Sequence, residues 1–196
     1  MATNVINIDL DGLISKHKQF GKNARTINKR ILIAIDEALD EIAEVGLDYA
    51  REKMGAYGIS GDLVANLKAE RVGDGLQIST YALNNLGDDY SMFVEFGTGL
   101  VGSTSPHPKA GMEGWSYSTS HMVNGREMEG WVYPSYPEDR NDKKWVGSDG
   151  NLYAFTKGQE ARPFMYDTWL YLSRSWSNIM NKHINIALKE WGEDFQ

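Results

Sequence analysis

The chain contains no cysteine. That excludes disulfides, thiol nucleophiles and thiolate metal sites, and it fits work in a reducing compartment. No apolar run is long enough to cross a bilayer, and the polar, alternating start MATNVINIDLDG does not read as a signal peptide. A positive balance is also missing. Against 20 basic residues stand 27 acidic ones, for a formal charge of −7 and a pI near 5.1. Phosphate binding relies on Lys and Arg clusters, so the mean field argues against a grip on nucleic acid. The short basic stretches, Lys16-His17-Lys18 with Lys22 and Arg25, and Asn28-Lys29-Arg30, read as solvated surface.

Catalytic signatures are missing as well. There is no GxxxxGK[ST], no GxGxxG after a strand, no GxSxG and no HExxH. The acidic loop Glu138-Asp139-Arg140-Asn141-Asp142 lacks the spacing and the terminal bidentate glutamate of a calcium loop. Of the four histidines, His17 has no partner pattern and His183 lies on an apolar helical stripe. His107, held between Pro106 and Pro108, reads as an exposed loop residue. With His121 it offers only two loop ligands, short of a closed metal set. No catalytic residue, cofactor or metal ligand is assigned.

Two segments have strong helical periodicity. From Ala24 to Tyr57, Ile27, Ile31, Ile35, Ala38, Ile42, Val45 and Tyr49 recur at spacings of four and three. Glu37, Glu41, Glu44 and Asp48 run along a different face. They read as a solvated flank, or as an acidic stripe facing a partner or a channel. From Pro163 to Trp191 the same alternation carries Met165, Trp169, Leu172, Trp176, Ile179, His183, Ala187 and Trp191. Between the two lie a helical turn over Asp62–Leu67 and strands over Lys68–Val72 and Leu76–Tyr81, joined at Gly73-Asp74-Gly75. A short strand at 4–10 and a short helix at 11–20 form an N-terminal arm over 1–22. The expected fold is α+β: two long amphipathic helices packed on a small, mostly antiparallel sheet, in a single domain over 1–196.

Residues 100–160 change character and read as a loop and hairpin insertion. Four of the five prolines lie there. Trp131–Pro134 reads as a strand stopped by proline, and Trp145-Val146 with Leu152–Thr156 as a hairpin. No period is visible over 102–129. Trp115, Trp131, Trp145, Tyr117, Tyr133 and Tyr136 stack on sugars or bases in one reading, and anchor strands or a subunit interface in the favoured one.

The insertion is bracketed by two distinctive stretches. YSMFVEFGTG, residues 90–99, is a short helix ended by Gly97, with Asp88-Asp89 before it as capping acids. Glu95 sits between apolar neighbours, and a lone desolvated carboxylate is costly. It therefore lies at an edge or has a partner, and the candidate partner is Arg162 of ARPFMYDTW. These stretches, with GWVYP between them, resemble the gene-product-ten-like family of tailed-phage proteins. Its members are tail-completion or head–tail joining proteins of long-tailed phages and prophages.

That resemblance implies a non-enzymatic structural protein of the virion neck, assembled in the bacterial cytoplasm. Copies would form a hexameric ring, with a twelve-fold ring as the alternative. The neighbours would be head-completion or connector proteins on one side and tail-terminator or tail-tube proteins on the other. Glu95, Phe96, Gly97 and Thr98, with Arg162, Pro163 and Phe164, occupy its motif positions and imply a structural clamp. DNA would pass without specific binding, and Glu37, Glu41 and Glu44 facing the lumen would repel phosphate. Two rival readings stand beside it. One is a non-enzymatic binding module whose aromatic insertion holds a glycan or peptide. The other is a hydrolase with an unrecognised carboxylate pair.

Overall fold

The computed structural model describes residues 6–7, 24–84, 87–123, 126–137, 141 and 143–193. The expected helix at 11–20 and the cluster Lys16, His17, Lys18 and Lys22 lie outside these residues. The chain divides into two compact units, Met1–Ser91 with Phe164–Gln196, and Met92–Pro163. Helix and strand are mixed, and every strand pair among the described residues is antiparallel, so the class is α+β.

In the first unit, β1 (Ile6–Asn7) is followed by α1 (Ala24–Ala56), α2 (Asp62–Ala65), β2 (Lys68–Val72) and β3 (Gly75–Ser79). The chain enters α3 (Ser91–Phe96) at the unit's edge, and α5 (Phe164–Glu193) completes the unit. Helix α1 buries Ile27, Ile31, Ile35, Ala38 and Ile42 as its spacing predicts, with Ala34 and Leu39 beside them, whereas Val45 and Tyr49, expected on the same face, are half-buried and the buried line passes instead through Gly46, Ala50 and Met54. It ends where Gly58, at φ +66°, turns the chain. The Ile59 N–H then reaches Met54 O and the Gly58 N–H reaches Gly55 O. This is a Schellman cap, and Ile59 and Met54, both buried, supply its apolar contact.

Helices α1 and α5 run antiparallel. Tyr57 donates to Asp167, Tyr49 stacks on Tyr171 at 4.2 Å, and Glu41 meets His183, so α1 numbers rise as α5 numbers fall. The face of α5 differs from the expected stripe. Met165, Leu172 and Ala187 are buried as predicted, but the seam runs through Thr168, Met180 and Ile184. Trp169, expected inside, is exposed and lies against Tyr166. Thr168 is fully buried with its hydroxyl bonded to Phe164 O, while the larger Trp169 ring stays at the margin.

The sheet order is β1-β3-β2. β2 and β3 form the expected hairpin, with Val72 opposite Gly75. Ile78 of β3 is fully buried, and it meets α1 at Gly46. A Cβ at Gly46 would overlap Ile78 Cδ1 and lie 3.0 Å from Leu172 Cδ1. Gly46 thus marks the point where α1, α5 and the sheet converge.

The second unit holds most of α3, then α4 (Gly99–Thr104), β4 (His121–Val123), β5 (Arg126–Met128), β6 (Trp131–Pro134), β7 (Lys144–Val146), β8 (Leu152–Thr156) and β9 (Gly158–Gln159). The strands at 131–134 and 152–156 and the β7–β8 hairpin follow the sequence reading. The stretch 102–129, which has no visible period, contains the end of α4 and the β4–β5 hairpin.

Gly46→Ala should gain about 1 kcal/mol of helix propensity and lose about 1–3 kcal/mol to overpacking. We expect a net loss of stability in chemical denaturation, and a larger one for Gly46→Leu. An alanine variant more stable than the parent would show that the seam has room to spare.

Candidate functional site

Helix α3 begins at an acid and ends at a glycine. The Asp89 carboxylate accepts the N–H groups of Ala82 (3.2 Å) and Ser91 (2.9 Å), the capping role expected of it. At the other end Gly97 has φ +74°, and its N–H donates to Phe93 O. A Cβ there would lie 2.5 Å from Ala161 N, so glycine serves both the turn and a backbone-to-backbone approach.

That approach joins the two distinctive stretches. Thr98 pairs with Gln159 and Gly99 with Gly158 in an antiparallel bridge. The Gln159 N–H donates to Thr98 Oγ1, and its side-chain amide donates to Phe93 O at 2.8 Å. The Arg162 N–H reaches the carbonyls of both Val94 and Glu95, each at 3.1 Å. So Glu95, Phe96, Gly97 and Thr98 come together with Arg162. Pro163 ends the unit, and Phe164 opens α5 in the first unit, fully buried.

The expected partner of Glu95 is corrected. Among the described residues its carboxylate forms no ion pair with the Arg162 guanidinium; Arg162 is tied in through its backbone. A side-chain partner is His107, whose Nε2 lies 3.2 Å from Glu95 Oε1. Both groups are buried, Glu95 at 2% and His107 at 5% exposure. The exposed-loop reading of His107 is therefore also overturned. The tautomer follows from geometry. The Lys109 N–H donates to His107 Nδ1 at 3.0 Å, so the ring proton sits on Nε2 and is donated to Glu95. A desolvated carboxylate must find a donor, and this imidazole is placed to supply one.

Aromatic groups hold the imidazole in place. The Phe96 ring packs 4.1 Å from the His107 ring and 5.1 Å from Trp115. Trp115 Nε1–H donates to Gly97 O, and the Tyr117 hydroxyl donates to Phe96 O while accepting the His107 N–H. Residues 105–117 are thus fastened onto the end of α3. Sequence reasoning missed His107, Lys109 and Gln159 here. The signal for His107 was its rigid Pro-His-Pro setting close to a buried acid in need of a donor.

Both groups of this pair are almost wholly removed from solvent. Among the described residues, no group of three or more His, Asp or Glu is arranged to hold a metal ion. The side chain of His121 lies outside them. A cavity of about 370 Å³ in the same unit is lined by Leu100, Thr119, Ser120, Glu127 and Glu129. Its two carboxylates are solvent-exposed and engaged, Glu127 with Ser120 and Glu129 with Lys157. The aromatic set is divided: Trp115 is bonded to Gly97, while Trp145 is exposed beside Tyr153.

The acids of α1 are partly engaged. Glu41 accepts from Lys182 Nζ (2.7 Å) and meets His183 Nε2 (2.7 Å), while Glu37 lies 3.5 Å from His183 Nδ1. Glu44 is exposed. Asp40 pairs with Arg71 of β2 at 2.9 Å. The stripe of Glu37, Glu41 and Glu44 is therefore not a uniform solvated flank, because two of its members tie α1 to α5. The Lys182 hydrogen bond, then the His183 one, hold the Glu41 carboxyl below its ordinary value of 4.5.

Comparison with known protein families, curated proteins and solved structures finds no match to this chain.

Two predictions follow from these contacts. His107→Ala removes one hydrogen-bond donor from buried Glu95 and should cost about 1–3 kcal/mol in denaturant unfolding. Adding Glu95→Gln should recover part of that loss, and an additive double variant would contradict the pairing. The second concerns pH. A depressed folded-state pKa gives stability that is present above the ordinary glutamate value and lost as pH falls through the folded one. Glu41→Gln should therefore be less stable than the parent near neutrality, with the gap closing below about pH 4. A gap that persists in acid would refute this.

Proposed function

We propose that this chain is a virion structural protein of a long-tailed phage, a tail-completion or head–tail joining protein. Copies form a ring in the neck, between head-completion or connector proteins and the tail terminator or tube. The finer architecture belongs to the same proposal: two long amphipathic helices on a small sheet, with a hairpin insertion rooted at one point.

The observation that carries the reading is the union of the two stretches on which the family resemblance rests. The run at 90–99 and the residues leading to Arg162 share backbone hydrogen bonds, a bridge and a close glycine approach. Residues so placed form a clamp at the base of an insertion. The burial of the Glu95–His107 pair supports a structural role over a catalytic one. The acidic balance supports a passage that does not hold DNA, with exposed Glu44 and the remaining charge contributing to the repulsion.

Purified long-tailed particles from a host carrying this gene test the proposal. The chain should be present in the virion protein profile, and antibody against it should label the junction of head and tail in electron micrographs. A nonsense mutation should leave heads and tails unjoined. Normal particles that lack the chain would overturn the reading.

A further inference from the structure

The methionines of this chain differ sharply in how far water reaches them. Met54 and Met180 are fully buried, and Met165 is 4% exposed. Met92 is half-buried. Met128 is 40% exposed, and Met112 stands at 76%, the most exposed large apolar side chain among the described residues. In a chain without cysteine the thioether is the side chain a peroxide attacks most readily. The attack needs a sulfur lone pair that the oxidant can reach, so exposure decides which methionine reacts.

Met112 is exposed on a turn that its backbone holds together. The Ala110 N–H donates to His107 O, the N–H groups of Met112 and Glu113 both donate to Lys109 O, and the Trp115 N–H donates to Ala110 O. The turn is anchored on both sides, by the Lys109 N–H on His107 Nδ1 and by the Trp115 indole on Gly97 O. None of these bonds uses the Met112 side chain. The thioether instead has a cation beside it: the Lys109 ammonium donates to Met112 Sδ at 3.4 Å. Sulfur is a weak acceptor with two lone pairs, and this contact occupies one of them.

We propose that Met112 is an oxidation site of this chain, taking one oxygen atom from a hydroperoxide on the lone pair that Lys109 leaves open. That lone pair attacks the terminal oxygen of the peroxide. A sulfur–oxygen bond forms and the oxygen–oxygen bond breaks. The departing oxygen keeps the electron pair of the broken bond, takes the proton of the transferred oxygen and leaves as water or an alcohol. Sulfur is oxidised by two electrons and the peroxide is reduced by two. The product sulfur is a stereocentre, and with one side held by the ammonium one sulfoxide epimer forms in excess. An apolar tip becomes a polar acceptor on a turn whose backbone bonds stay in place, so the surface changes and the core does not. Methionine sulfoxide reductases each act on one epimer, so one reductase class restores most of the thioether. This chemistry is independent of the function proposed above.

Titration of the folded chain with hydrogen peroxide, read by peptide mass mapping, tests the site. Met112 should gain its oxygen about tenfold faster than Met54, Met165 and Met180, and faster than Met128. Uptake at Met112 no faster than at Met128 would overturn the proposal. Chain oxidised at Met112 alone should keep the denaturant midpoint of the parent, and a fall in that midpoint would overturn the surface placement. The part played by Lys109 is read from the epimers, counted by reduction with each of the two epimer-specific reductases. The parent should show about a threefold excess of one epimer, the size expected of a weak exposed contact. Lys109→Ala keeps the backbone N–H that reaches His107 and should give a nearly even mixture, while Lys109→Arg should restore the excess. An even mixture in the parent, or an undiminished excess in Lys109→Ala, would overturn the assignment of the open lone pair.

Discussion

A carboxylate removed from water needs a hydrogen-bond donor, and the second unit is arranged around meeting that need at Glu95. Several kcal/mol of desolvation are at stake. His107 answers it with a proton fixed on Nε2, and that proton is fixed there because Nδ1 already accepts the Lys109 N–H. For His107 to stay in place, residues 105–117 must be held to the end of α3. The Tyr117 hydroxyl, the Trp115 indole and the Phe96 ring hold them. Gly97 then lets the 157–162 backbone come close enough to close the base of the insertion. Each of these contacts presupposes the one before it, which gives the motif a physical reason for its residue types.

The first unit uses charge differently. Its core is an antiparallel pair of helices, with apolar seams that need no polar help. The acids of α1 sit at the margins of those seams and engage partners on both sides, Arg71 of β2 on one and Lys182 and His183 of α5 on the other. Exposed pairs of this kind add little to stability. Their effect is on the charge pattern: a helix that reads as a long acidic stripe presents much less uncompensated charge than its sequence implies. In a channel-facing role, repulsion of DNA would then fall mainly on Glu44 and on charge outside the seam.

The second unit keeps its most polar buried contact away from its surface. The most chemically suggestive pair in the chain is sealed behind aromatic rings, and the acid-lined cavity has carboxylates already engaged with neighbours. Trp145 and Val146 of β7 remain exposed beside Lys143 and Lys144, so apolar and charged groups adjoin along that strand.

The sequence by itself determined the two long helices, because a 3.6-residue apolar period over many turns has one physical meaning. It also determined the hairpins, where short alternating runs meet at glycine, and the end of α3 at Gly97. It marked Glu95 as a residue that must be explained. Tertiary structure alone decided what explains it. Arg162 was a sound guess from charge, but hydrogen bonds are settled by distance, and the fold brings the Arg162 backbone, not its guanidinium, to Glu95. The buried face of α5 differs from its apolar stripe for a similar reason, since the bulk of Trp169 does not say which side of the helix meets α1. The hairpin at 121–128 left no period to read, because three-residue strands are too short for alternation to show. Periodicity is local and survives in sequence, whereas the partner of a buried charge is a long-range fact that exists only once the chain has folded.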